Sequence, residues 1–168
     1  LSQGPLLKEP RSMLADVDGD GDLDLFSITS DGTAAAYPGL YLNTRGILVV
    51  NTSAIASLVK IAGRDVAPMD LLGKGRVDLV IAPVTASNSP LLVLRNGSTS
   101  GLKYGLTTTG ANFAVANAVD IAGVDVDSDG LTDVAAITGT GSVVFGRNIG
   151  GASTGVLAKA ATLLSAGP

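Results

Sequence analysis

Short apolar runs punctuated by turn residues recur along the chain, and this pattern predicts strands rather than helices. Met13-Leu14-Ala15 predicts a first short strand, Leu23 to Ile28 a second, Gly39 to Asn43 a third and Ile47 to Val50 a fourth. Asp31-Gly32 and Arg45-Gly46 supply turns between them. A second set follows: Val66 to Met69, Leu79 to Ala82, Leu91 to Leu94 and Leu102 to Leu106, with turns at Asn88-Ser89-Pro90 and Asn96-Gly97. The third set runs Ile121 to Val124, Val134 to Ile137, Val143 to Phe145, then Asn148 to Gly151 and Val156 to Ala158, with a Gly139-Thr140-Gly141 turn. Leu25-Phe26, Leu79 to Ala82 and Val134 to Ile137 are apolar at consecutive positions, which predicts strands buried on both faces. Residues 1–10 carry two prolines and no period and read as an arm. Segments 54–63, 111–119 and 158–165 read as alanine-rich linkers, each with room for a helical turn.

Between the first and second strand of each set lies a loop of one type. Asp16-Val17-Asp18-Gly19-Asp20-Gly21-Asp22-Leu23-Asp24 places five aspartates at alternate positions. Asp125-Val126-Asp127-Ser128-Asp129-Gly130-Leu131-Thr132-Asp133 repeats the frame. So many like charges in so short a span call for a counter-charge, and Ca2+ takes about six to eight oxygen ligands from such loops. Asp16, Asp18, Asp20 and Asp24 are the expected side-chain ligands of the first site, with Asp22 giving its backbone carbonyl. Asp125, Asp127, Asp129 and Asp133 take those roles in the second, with Leu131 at the carbonyl position. The alternative for either loop is an acidic surface turn without metal. A middle copy, Asp70 to Asp78, keeps only the first and last aspartates, with Leu72 and Lys74 at the other ligand positions. No metal is expected there. The Lys74 ammonium is expected either to sit between Asp70 and Asp78 or simply to point to solvent. An EF-hand is excluded, because its twelfth position is Ser27 in one loop and Ala136 in the other and the flanks read as strands.

The closing aspartates 24, 78 and 133 stand 54 and 55 residues apart, a spacing that marks a repeat architecture. Four strands per repeat, with the inner ones covered on both sides, describe all-β propeller-type blades packed face to face. The units are 11–64 with a calcium loop, 65–119 with the degenerate loop and 120–168 with a calcium loop, after the arm 1–10. A stacked solenoid is the competing geometry, but its repeats usually run shorter.

Composition sharpens this reading. The 168 residues are 46% hydrophobic yet hold only three Phe, three Tyr and no Trp, beside 22 Gly. Such a core is built from aliphatic side chains with close backbone approaches. Nine of the 15 acidic residues lie in the two complete loops, so the acidity is local, and two Ca2+ ions would bring the formal charge from −4 to about zero. The 11 Lys and Arg are scattered with few aromatics, which argues against nucleic acid as a partner. Without His or Cys, most nucleophile–base pairs are unavailable, and no catalytic residue is expected. No apolar run is long enough for a membrane-spanning helix. The start at Leu1 fits a processed chain or a piece of a longer one, and no signal peptide is visible. Asn51-Thr52-Ser53 and Asn96-Gly97-Ser98 match glycosylation acceptors, a triplet common by chance.

With these loops, and with the later strands that end in Leu42-Asn43, Arg95-Asn96-Gly97 and Arg147-Asn148, the chain resembles the FG-GAP/VCBS repeats of integrin-α-type β-propellers over residues 11–158. Of the literal Phe-Gly and Gly-Ala-Pro signatures only Phe145-Gly146 is similar. The resemblance implies a calcium loop in the hairpin between strands one and two of each blade. It also implies an extracellular or cell-surface location, and a non-catalytic role in adhesion, assembly, or binding of a protein or glycan. The alternative it implies is an accessory domain of a larger secreted hydrolase. Ligands of similar proteins meet the face opposite the calcium loops, which here corresponds to segments 30–38, 52–65, 84–90, 106–120 and 138–142. Family propellers close rings of about seven blades, and three cannot close one. Further blades from a longer chain, further blades from a second copy in a homo-oligomer, or open packing against a partner are therefore expected. Structural calcium at two sites is the expected cofactor.

Overall fold

In the computed structural model, residues 10–29, 39–55, 62–84, 89–97, 104–108, 114–150 and 157–164 are described. The first antiparallel sheet is a meander of four strands: β1 (Pro10–Ala15), β2 (Asp24–Thr29), β3 (Gly39–Thr44) and β4 (Ile47–Val50). Arg45 and Gly46 both take positive φ between β3 and β4, the geometry of a two-residue hairpin matched to strand twist. A single helical turn, α1 (Thr52–Ile55), follows and tucks Ala54 and Ile55 into the core. The second sheet is built from β5 (Gly63–Met69) and β6 (Asp78–Pro83). After the two-residue β7 (Ser89–Pro90), it continues through β8 (Leu92–Asn96) and β9 (Tyr104–Thr108). β7 pairs instead with β10 (Ala114–Val115). The third sheet comprises β11 (Ala118–Val124), β12 (Asp133–Thr138), β13 (Val143–Asn148) and β14 (Leu157–Leu164). Among the described residues no helix is long and apolar enough to cross a membrane.

The three sheets stack face to face, with the second in the middle. Side chains of a strand alternate between faces, so β6 serves two cores at once. Leu79 and Ile81 pack toward the first sheet with Phe26, Ile28 and Leu40. Val80 and Ala82 pack toward the third with Ile121, Val134 and Ala136. Gly63 packs tightly at the junction of the first two sheets: a Cβ there would lie 2.5 Å from Ile28 Cδ1 across the junction and 2.5 Å from Ile81 Cγ2 in its own sheet. The stacking removes aliphatic surface from water at roughly 25 cal/mol per Å2, the main favourable term in a core so poor in aromatics.

Burial on both faces holds for β6 but not for the strands expected to match it. In β2, Phe26 and Ile28 are buried while Leu25 and Ser27 are half-exposed. In β12, Val134 and Ala136 are buried, Ala135 is half-exposed and Ile137 is exposed. The cause is position: among the described residues the first and third sheets are the ends of the stack, and each has a neighbouring sheet on one side.

Three other expectations are corrected. Segment 158–165 is not a linker, because β14 occupies Leu157–Leu164 as the outer strand of its sheet. Segment 111–119 contributes β10 and the start of β11. Ser89-Pro90 is paired strand instead of turn, tolerable for proline at a two-residue edge pairing. Of the arm 1–10, Pro10 belongs to β1, while residues 1–9, the Asp31-Gly32 turn, segment 30–38 and most of segment 54–63 lie outside the described residues.

One junction carries an ionisable pair. The Ile121 N–H donates to Asp65 Oδ2 at 2.9 Å, crossing from the third sheet to the second. Burial pushes the Asp65 carboxyl above the usual carboxylate range, the Ile121 N–H opposes this, and a hydrogen bond with the Asp120 carboxyl adds to the rise. A group whose pKa is raised on folding contributes stability at pH below its unfolded value and loses it as pH rises through the folded value. Asp65→Asn keeps an acceptor for Ile121 and removes the charge. Its thermal midpoint should therefore exceed wild type at pH 7, with the difference shrinking toward pH 3. Equal differences at both pH values would refute this origin.

Candidate metal centres

Each eight-residue connection between the first two strands of a sheet (16–23, 70–77 and 125–132) is held by its own first aspartate. Asp16 accepts from the Gly19 N–H at 2.7 Å and the Gly21 N–H at 3.0 Å. Asp70 accepts from Lys74 at 3.0 Å and Gly75 at 2.6 Å, and Asp125 accepts from Gly130 at 3.0 Å. Gly21, Gly75 and Gly130 are the same repeat position, and all have positive φ (95°, 67° and 84°). Glycine adopts that conformation without the steric cost of a Cβ, which is what turns the chain back toward the last aspartate.

The last aspartate is almost wholly buried in every copy: Asp24, Asp78 and Asp133. Asp24 accepts from the Asn43 N–H and the Val17 N–H, each at 2.8 Å. Asp133 accepts from Asn148 at 2.6 Å and Val126 at 3.0 Å. Asp78 accepts from Asn96 at 2.9 Å and from the Leu71 N–H. This carboxylate therefore ties the loop to the third strand of its sheet, a bond across 15 to 19 residues. An ionised carboxylate offers about four lone-pair sites, so this role leaves capacity for a cation.

Two loops gather three carboxylates each. Oxygen atoms of Asp16, Asp18 and Asp24 lie within 4.8 Å of one another, and so do those of Asp125, Asp127 and Asp133. Ligands at about 2.4 Å from one ion can be no further apart than about 4.8 Å, so both trios fit a Ca2+-sized cation. Desolvation and then the Asp24 charge hold the Asp18 carboxyl above its usual range, with Asp20 and Asp16 adding to this and the Asp20 N–H opposing it. A divalent ion would reverse that balance.

The other expected ligands sit differently. Asp20 and Asp129 are outside the trios: Asp20 Oδ1 accepts from the Asp22 N–H and Asp129 Oδ1 from the Leu131 N–H, both at 2.9 Å. Asp22 Oδ2 accepts from the Arg45 N–H at 2.9 Å, tying the loop to the β3–β4 turn. Leu131 is half-buried. In the middle loop, Lys74 is exposed and forms no ion pair with Asp70 or Asp78 among the described residues, which matches the solvent-pointing alternative.

The cations that do approach the loops come from the third strand of a sheet, one residue before the repeated asparagine. Arg147 Nε contacts Asp127 Oδ2, and its Nη2 lies 3.7 Å from Asp129 Oδ2. Arg95, the counterpart in the second sheet, acts on Asp78: burial raises that carboxyl, and the Asn96 N–H and then the Arg95 charge oppose the rise. The first sheet has Leu42 at this position. The sequence motifs Arg95-Asn96-Gly97 and Arg147-Asn148 contain both arginines but assign them no role at the loops. Their fixed place before Asn96 and Asn148 was the available signal.

Asn96 is unsuited to glycosylation, because its Nδ2 donates to the Val17 carbonyl at 3.1 Å. Asn51 Oδ1 accepts from the Ala54 N–H at 3.0 Å and caps the turn α1. Comparison with known proteins returns no matching family model and no matching curated sequence.

Proposed function

We propose that this chain is a calcium-braced module of propeller-type blades that binds or assembles with other macromolecules outside the cell and performs no catalysis. The observation that carries this reading is the paired carboxylate trio at one repeat position in two of three loops. The middle loop retains only the aspartates and glycines that shape the turn. One backbone thus serves with and without a metal set, which is the behaviour of a structural brace. Each meander of four antiparallel strands, stacked by its face on the next, has the form of a blade. The likeness of the loops to FG-GAP/VCBS repeats supports the same reading. Extracellular calcium, at millimolar concentration, suits loops of modest affinity.

Calorimetric titration with Ca2+ tests it. Two ions should bind per chain, the first loop more tightly than the third, because an ion entering the third must displace Arg147 from Asp127 and Asp129. Arg147→Leu should bring the two affinities together, with an expected gain of about 1.5- to 5-fold at the third loop, the scale of one exposed charge pair. Absence of calcium uptake at millimolar concentration would sink the proposal.

A further inference from the structure

The stack repeats one packing relation twice, and its two ends are the unused halves of that relation. Repeat positions make this explicit. Val17, Leu71 and Val126 follow the first aspartate of their loops. Val17 is 3% exposed beneath the second sheet and Leu71 is 1% exposed beneath the third, whereas Val126 is 53% exposed. Ile28, Ala82 and Ile137 follow the same course, from 1% and 0% to 41%. Ala15 and Met69 are buried and their counterpart Val124 is exposed. The outer face of the third sheet therefore matches the two faces that a next sheet already covers.

The opposite end shows the converse. Leu79 and Val134 are fully buried against the preceding sheet, while Leu25 at the same position is only half-buried. Leu14, Leu25, Tyr41 and Val50 form a cross-strand row on this face, and Leu14 and Val50 are exposed. One end offers the tail of the internal contact and the other its head.

Polar groups agree with this register. Asn96 Nδ2 reaches back to the Val17 carbonyl at 3.1 Å, and Asn148 Nδ2 reaches back to the Leu71 carbonyl at 2.8 Å. Asn148 spends its other amide hydrogen on the carbonyl of Thr132 in its own sheet, at 3.1 Å. Among the described residues, Asn43 Nδ2 makes only that second type of bond, to Leu23 at 3.0 Å. The next member of the series is Asn43 donating to a Val126 carbonyl that precedes it.

We infer that a second copy of this chain docks head to tail, the outer face of its first sheet on the outer face of the third sheet, with Asn43 bonded to Val126. Such a contact is heterologous and must close or propagate. Two copies joined at both ends present six sheets, within the range of about four to eight over which blades close into a ring. The inference rests on sheet stacking and not on the metal sites.

Sedimentation across a concentration series at saturating calcium tests it, with circular dichroism to confirm folding. The wild-type chain should associate into at least a pair. Leu25→Lys blocks the head and Ile137→Lys blocks the tail, so each variant alone should sediment as one copy. Mixed, the two retain one good head and one good tail and should form a one-to-one pair. A folded, calcium-binding wild-type chain that stays single at its highest soluble concentration overturns the inference, and a longer chain or a different partner then covers the faces. A mixture that stays unpaired, or single variants that still associate, also overturns it.

Discussion

Chelation of calcium should lower the thermal unfolding midpoint by about 10–20 °C relative to the same chain in 10 mM Ca2+. The estimate follows from mass action. A site with a dissociation constant near 0.1 mM, at the strong end for extracellular loops, is about 100-fold saturated under these conditions. Each such site contributes about 2.7 kcal/mol, and a domain of this size shifts by roughly 2–4 °C per kcal/mol. The trios at Asp16, Asp18, Asp24 and at Asp125, Asp127, Asp133 supply two sites. Asp18→Ala should remove somewhat more than half of the shift, Asp127→Ala somewhat less because Arg147 already weakens that site, and the double variant all of it. Both residues are exposed and neither shapes its loop as Asp16 and Asp125 do, so the folds should survive. Scanning calorimetry with and without chelator reads the outcome. A double variant that still responds fully to calcium would place the ions elsewhere.

Asp78→Ala should cost about 3–5 kcal/mol, and the loss should be the same in calcium and in chelator. Its carboxylate is buried and accepts the N–H groups of Asn96 and Leu71, the first at 2.9 Å. Alanine leaves two buried donors without a partner, at about 1–3 kcal/mol each. It also leaves the half-buried Arg95, whose Nε and Nη1 have no hydrogen-bond partner among the described residues, without the nearby negative charge. Asp78→Asn retains one acceptor oxygen and should lose roughly half as much. Asp24→Ala offers the contrast: the same two-donor loss, plus a calcium-dependent part, because Asp24 belongs to a trio. Urea unfolding of the three variants in both conditions separates bracing of the hairpin from ligation of the ion. A change under about 0.5 kcal/mol for Asp78→Ala would show that water replaces the carboxylate, and the bridging role would fall.

Much of the site was legible because its parts are close in sequence. Asp16, Asp18 and Asp24, or Asp125, Asp127 and Asp133, span nine residues, and a turn glycine is enough to bring them together. Three features were not legible. From the sequence the closing aspartate is a metal ligand at Asp24 and Asp133 and a possible Lys74 partner at Asp78, whereas its bonds to Asn43, Asn96 and Asn148 join elements 15 to 19 residues apart. Lys74 was the cation nearest in sequence, yet Arg95 and Arg147 reach the loops, because the third strand of each sheet runs beside them. β14 was read as linker from its alanines, and its place is fixed by pairing with β13. Alanine has little preference of its own for a strand, so the decision passed to the neighbour.

By itself the sequence determined the periodic strands, their turns and the two acidic clusters, since each depends on residues a few positions apart. The 54- and 55-residue spacing further required that the three units share one local design. Only the tertiary structure decided which faces are covered. Leu25 and Leu79 occupy the same repeat position, yet one is half-exposed and the other fully buried. The difference lies in whether another sheet precedes them in the stack. Burial is a relation between units, set by the apolar area a neighbour removes from water, and the local pattern is nearly the same at the ends as in the middle.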